Sequence, residues 1–166
     1  IGYTAGPFPL GYYGLGEIFV FLFFGLVAVC GTVYVQMREI PAVAVWAAVP
    51  MGLLADGILS MNNLRDLETD REAGKHTIAA RYGLAAARAV YVLELGLAFL
   101  VPVAMILLRV ANYQVILSWG AIVLALPLIQ TAYTVRGKAL NQGLAGTGQL
   151  ELIFGVLFAV GLILGR

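Results

Sequence analysis

Residues 62–83 read NNLRDLETDREAGKHTIAARYG, a charged stretch set between two long apolar runs, 40–60 and 86–108. A helix needs about twenty apolar residues to cross the hydrocarbon layer of a bilayer. The charged stretch is therefore a loop outside the lipid, and its flanks are spans. Three further runs qualify, 16–35, 113–133 and 150–164, the last of them short. None shows the alternation of barrel strands. The expected fold is all-α, a multi-pass transmembrane helix bundle. Composition agrees: 61% of the 166 residues are hydrophobic, the mean hydropathy is +0.94, and only 11% are charged, against roughly 25% in soluble domains.

Charge narrows the partners. A formal net charge of +1 gives no ground for nucleic-acid binding, and the expected partner is the lipid bilayer. Cys30 is the sole cysteine, so no internal disulfide can form. Five spans place the N-terminal segment and the 61–85 and 134–149 loops on one side. That side carries Arg65, Arg71, Lys75, Arg81, Arg136 and Lys138, with Arg88 at its edge; the other has Arg38, Arg109 and Arg166. The Lys/Arg excess assigns the motif side to the cytoplasm. Gly and small residues within the spans allow close helix approach. Pro102 and Pro127 fall inside spans, where neighbouring helices absorb a kink.

Within the charged stretch Asn62, Asp66 and Asp70 recur every four residues. On a helix this spacing stacks three oxygen ligands on one face. Arg65, Arg71 and Lys75 are interleaved. Hard oxygen ligands beside fixed cations suit a divalent metal carrying a diphosphate. The plainer reading is a positive-inside loop whose acids pair locally, Asp66 or Glu68 with Arg71 or Lys75. It accounts for the bases but not for the order of the acids.

The pattern NNxRDxExDxxxGKxTxAxRxG resembles the second aspartate-rich motif of the UbiA superfamily of intramembrane prenyltransferases. It is most similar to the 1,4-dihydroxy-2-naphthoate branch, the menaquinone-forming enzymes. The opening GYTAGPFPLGYYGLGEIFVFLFFG and the downstream LNQGLAGTGQLELIFGVLFAVGL resemble that branch too. The resemblance implies a nine-helix fold around a central cavity, of which residues 1–166 form the C-terminal part, about five helices. A first aspartate-rich motif is expected upstream, because the only aspartates here are Asp56, Asp66 and Asp70. The fragment alone is expected to be inactive.

The resemblance also implies the chemistry. Asp66 and Asp70 would be catalytic and ligate Mg²⁺ with support from Asn62. Arg65, Arg71, Lys75 and Arg81 would bind the diphosphate of a polyprenyl diphosphate. The acceptor would be 1,4-dihydroxy-2-naphthoate, losing its carboxylate as CO₂, and the location a prokaryotic plasma membrane. Other UbiA branches, with 4-hydroxybenzoate or a related acceptor, are the alternative. Tyr3, Tyr12, Tyr13, Asp56 and Asn63 are candidates for the aromatic and prenyl pocket.

Other polar residues are read singly. Asp56 lies within a span and either faces the cavity or is solvated near the span's end. Glu94 and Gln130, also within spans, are expected to hydrogen-bond between helices. Glu17 and Glu151 are expected at solvated span edges, and His76 in the loop without an acid–base role. Trp46 and Trp119 read as packing or interfacial anchors. A cation transporter would spread its acids along the depth of the membrane, and a scaffold would leave the Asn62–Asp66–Asp70 spacing unexplained.

Overall fold

A bilayer offers the backbone no hydrogen-bond partners, so a chain that crosses it closes its own ladder. The computed structural model describes residues 14–165, and every regular element among them is helical. Helix α1 spans Gly16–Met37, α2 Ala42–Arg65, α3 the short Leu67–Glu72, α4 Ile78–Leu107, α5 Tyr113–Thr134 and α6 Gly137–Leu164. All but α3 are long and apolar enough to cross a membrane. The turns Phe21–Val27 of α1 are π-helical, and α5 opens with a 3₁₀ stretch over Tyr113–Ala121.

The five spans expected from hydropathy are all present, but three helices run past their apolar limits. Helix α2 continues to Arg65 and so carries Asn62, Asn63 and Arg65 out of the lipid. Helix α4 starts at Ile78 rather than near 86, because Thr77 caps it by accepting a hydrogen bond from the Ala80 N–H at 3.2 Å. Gly83 then breaks α4 with φ 84° and ψ 179°, a conformation essentially restricted to glycine. Helix α6 begins in the polar stretch ahead of residue 150.

Helix α2 is central and packs on α1, α4 and α6. Its crossing with α1 is a backbone contact. A Cβ placed on Gly25 would meet Gly52 Cα at 2.7 Å and the Ala48 carbonyl oxygen at 2.8 Å. Small residues let membrane helices approach this closely. On the α4 and α6 sides, Leu54, Met61, Tyr91, Leu95, Leu150 and Phe154 are fully enclosed. Phe99 meets Phe154 edge-on, ring centroids 5.3 Å apart. Phe23, Phe24, Leu100, Val123, Leu126 and Leu152 point outward.

Polar side chains finish the helix ends. Arg88 donates to the carbonyl oxygens of Ala132 at 2.8 Å and Tyr133 at 2.9 Å, satisfying the last turn of α5, and lies over the Tyr133 ring. Trp119 anchors α5 to α4 through an Nε1–H bond to the Phe99 carbonyl at 2.8 Å. Gln130 departs from expectation: its side chain is exposed on the outer side of α5.

Gly52→Leu should prevent stable packing of α1 on α2, since the atoms it meets include backbone that cannot rotate away. Overpacking typically costs about 1–3 kcal/mol, and detergent-solubilised protein should show a lowered midpoint of thermal unfolding. An unchanged midpoint would refute the close crossing.

Candidate functional site

Three contacts gather the polar segments at one end of the bundle. Arg65 Nη1 donates to Asn141 Oδ1 at 3.0 Å, joining α2 to α6. Asn63 Nδ2 donates to Glu17 Oε1 at 3.1 Å, joining α2 to α1. Gly14 lies so close to His76 that a Cβ there would stand 2.5 Å from the His76 carbonyl oxygen. The start of α1, the motif loop and the start of α6 therefore share an end, as the span count required.

The motif is not one unbroken helical row. Asp66 takes φ −97° and ψ 11° and ends α2, although hydrogen bonds still run from the Asp66 N–H to Asn62 and from the Asp70 N–H to Asp66. Arg65 then binds Asp66 as a fork, Nε to Oδ1 at 2.7 Å and Nη2 to Oδ2 at 2.5 Å, and Nη2 reaches Asn62 Oδ1 at 2.6 Å. Asn62 and Asp66 thus share one guanidinium. Asp70 turns away into a buried position beneath α3, where Lys75 Nζ meets its Oδ1 at 2.6 Å. Gly74 makes this return possible: its φ of 67° ends α3 in the left-handed region, and the Lys75 N–H bonds the Asp70 carbonyl.

The remaining bases lie apart from the carboxylates. Arg71 Nε donates to the Ala80 carbonyl at 3.2 Å, and Arg81 lies over the Tyr82 ring. Of the bases expected to pair with these acids, Arg71 turns to the Ala80 carbonyl, whereas Asp66 is held by Arg65 and also feels the Lys75 charge, and Lys75 bonds Asp70. His76 is exposed. Tyr3, Tyr12 and Tyr13 lie outside the described residues.

Deeper in the bundle, Asp56 and Glu94 are both buried and their carboxyls contact one another between α2 and α4. Ser60 Oγ donates to Glu94 Oε1 at 3.0 Å, the interhelical bond expected of Glu94. Asp56 Oδ1 and Glu94 Oε2 have no partner among the described residues. Asp56 is therefore a core residue, not a solvated one. Glu17, read from sequence as a solvated edge, is instead bonded to the motif; its partner lies 46 positions away, beyond any local pattern.

At the opposite end, α1, α2, α5 and α6 enclose an apolar groove of about 1110 Å³. Val33, Ala47, Met51, Val115 and Gly155 line it, and among the described residues Glu151 is the one charged side chain on its wall, half-buried rather than at a solvated edge.

Side-chain oxygens and fixed cations thus gather at one end of this apolar helix bundle, and comparison with known proteins assigns the chain to a family. It belongs to the UbiA prenyltransferase family, whose model matches residues 1–145; with its five spans it is an integral membrane protein. It is 36% identical to a 1,4-dihydroxy-2-naphthoate octaprenyltransferase of Haemophilus influenzae, over 99% of this chain and 54% of that protein. For the protein of the same name in Mycobacterium tuberculosis the identity is 38%, over 99% of this chain and 56% of the relative. UbiA prenyltransferase domain-containing protein 1 of Homo sapiens is 31% identical over 98% of the chain and 46% of its own length. The chain spans about half the length of the curated relatives it matches. No solved structure matches it.

Asp66 provides a titration test. The Arg65 fork holds its carboxyl below the ordinary value of 3.8. With a folded value below the unfolded one, the pairing stabilises the fold above about pH 4 and that contribution is lost as pH falls through the folded value. In Arg65→Gln the Asp66 carboxylate band in isotope-edited infrared spectra should titrate at higher pH. A titration unchanged from wild type would show that Arg65 does not hold the carboxylate.

Proposed function

We propose that this chain is the C-terminal part of a Mg²⁺-dependent polyprenyltransferase acting on 1,4-dihydroxy-2-naphthoate, with its motif end facing the cytoplasm. The observation that carries the reading is the set Asn62, Asp66 and Asp70, with Arg65 and Lys75 upon it, at the mouth of an apolar bundle. The names of the bacterial relatives support the acceptor.

The donor set fits Mg²⁺. All three side chains offer oxygen, and Mg²⁺ takes one or two protein carboxylates with the rest of its shell from phosphate and water. No group of three or more His, Cys, Asp or Glu side chains suited to a metal occurs among the described residues, and this mode of binding needs none. When bound, the metal would offset the charge that develops on the diphosphate as the allylic C–O bond breaks. Asn62, Asp66 and Asp70 would hold it.

The chain's own cations do the rest. In this structure Arg65 and Lys75 neutralise the two carboxylates. With substrate present, the same side chains and Arg71 and Arg81 stand at the right end to bind the leaving diphosphate through charge-assisted hydrogen bonds. The prenyl chain extends into the groove: Met51 lies about 16 Å along α2 from Asn62 at 1.5 Å per residue. The groove's apolar walls hold the distal prenyl units, while the naphthoate ring attacks the allylic carbon at the motif end. The new C–C bond forms at the ring as the allylic C–O bond breaks and diphosphate departs, and the ring's carboxylate leaves as CO₂, giving a demethylmenaquinol-type hydroquinone. Asp56 and Asn63 belong to the polar inner wall next to this path. The first aspartate-rich motif, which would face Asp66 and Asp70 across the diphosphate, is assigned to the upstream part of the protein.

The test is product mass spectrometry on membranes holding the complete reading frame, given Mg²⁺, a polyprenyl diphosphate, and either 1,4-dihydroxy-2-naphthoate or 4-hydroxybenzoate. The expected product is a prenylated naphthohydroquinone, or its air-oxidised quinone, lacking the carboxylate mass. A prenylated benzoate instead would move the protein to another branch. Asp66→Ala and Asp70→Ala should each lower kcat by about 10²-fold or more at unchanged protein level, and EDTA should abolish turnover. Retained kcat in Asp66→Ala would sink the metal assignment.

A further inference from the structure

We propose that Glu17 is a positioning residue that clasps both ends of the motif segment and holds its ligands in register. The proposal rests on the reading of Asn62, Asp66 and Asp70 given above, but its geometry is independent of it. Glu17 stands in the first turn of α1. Its Oε1 accepts a hydrogen bond from Asn63 Nδ2 at 3.1 Å, and the backbone N–H of Ile78 lies near its carboxylate. Asn63 lies in the last turn of α2, and Ile78 begins α4. Arg65, Asp66, Asp70, Arg71 and Lys75 all lie between these two positions, and Asn62 stands one residue before Asn63. One side chain on a third helix therefore closes the loop.

Each of these partners needs the contact. Asn63 is buried, and a buried amide without a partner is costly. The Ile78 N–H opens a helix and has no carbonyl one turn earlier to bond. Gly14 adds a second fastening three residues before Glu17, packed on the His76 carbonyl. Between the clasped ends, Asp66 sits at a helix bend and Gly74 at a left-handed turn, so the short helix α3 is joined to its neighbours through two breaks in the regular backbone. Glu17 touches neither Asp66 nor Asp70 and acts on them through Asn63 and Ile78.

The experiment uses the complete reading frame in membranes and two readouts. Limited trypsin cleavage after Arg71 or Lys75 reports the clasp without catalysis. Glu17→Ala should speed it by about tenfold, roughly the loss of one net hydrogen bond, while Glu17→Gln, which keeps an acceptor oxygen, should stay near wild type. In the prenyltransfer assay Glu17→Ala should raise KM for the prenyl diphosphate and the Mg²⁺ concentration giving half-maximal rate, with Glu17→Gln restoring both. A merely structural defect would reduce the amount of active enzyme and leave KM alone. Asn63→Asp sets a carboxylate against Glu17 and should reproduce the defect; adding Glu17→Gln should relieve it, a coupling that remains readable even where Glu17→Ala fails to accumulate.

Unchanged cleavage in Glu17→Ala, or an Asn63→Asp defect that Glu17→Gln does not relieve, would overturn the clasp. So would a Glu17→Gln KM as high as that of Glu17→Ala, because the charge itself would then be in use. Accelerated cleavage in Glu17→Ala, with a wild-type enzyme that prenylates neither acceptor, would uphold the clasp and reject the proposed function.

Discussion

The Arg65 guanidinium joins parts of the chain that lipid packing alone would leave unrelated. It binds both oxygens of Asp66, the amide oxygen of Asn62 one turn earlier on its own helix, and Asn141 on α6. A planar fork with five donors can serve three acceptors at once, which an ammonium on a flexible stem does less rigidly. Because α2 is also the helix against which α1, α4 and α6 pack, fixing its polar end fixes where the motif sits on the bundle. Apolar burial brings the helices together without direction; the directed bonds at this end set where the carboxylates stand.

The bundle itself was legible from hydropathy, because the requirement that lipid places on a chain is blunt: long apolar runs, no strands, few charges. The ends of the helices were less so. Hydropathy marks where the lipid stops, and α2 and α4 both continue past that boundary on the strength of backbone hydrogen bonds and, at Thr77, a cap. The regular spacing of Asn62, Asp66 and Asp70 read as one helical face, and it gave no sign that Asp66 would bend the chain. Nor did it show that Asp70 would turn inward to Lys75, a pairing five residues apart that depends on Gly74 folding the chain back.

The contacts least visible in the sequence are those between distant positions. Glu17 with Asn63 and Asp56 with Glu94 each join different helices, and no local pattern encodes which helix faces which. Glu94 was foreseen as an interhelical hydrogen bonder because an intramembrane acid needs a partner, but the identity of Ser60 was not. Gln130 followed the same rule and broke it, since its place on α5 faces outward.

The irregular backbone at Asp66 and Gly83 has a consequence for how the molecule fluctuates. One position bends the chain where α2 ends and the other breaks the helix within α4, so the stretch from Leu67 to Tyr82 is set off from the long helices on both sides. Cooperative units in proteins tend to follow such discontinuities. Amide hydrogens in this stretch can exchange with solvent through a local opening that leaves the spans folded, which makes the segment a separate unit of stability on a frame that opens only as a whole.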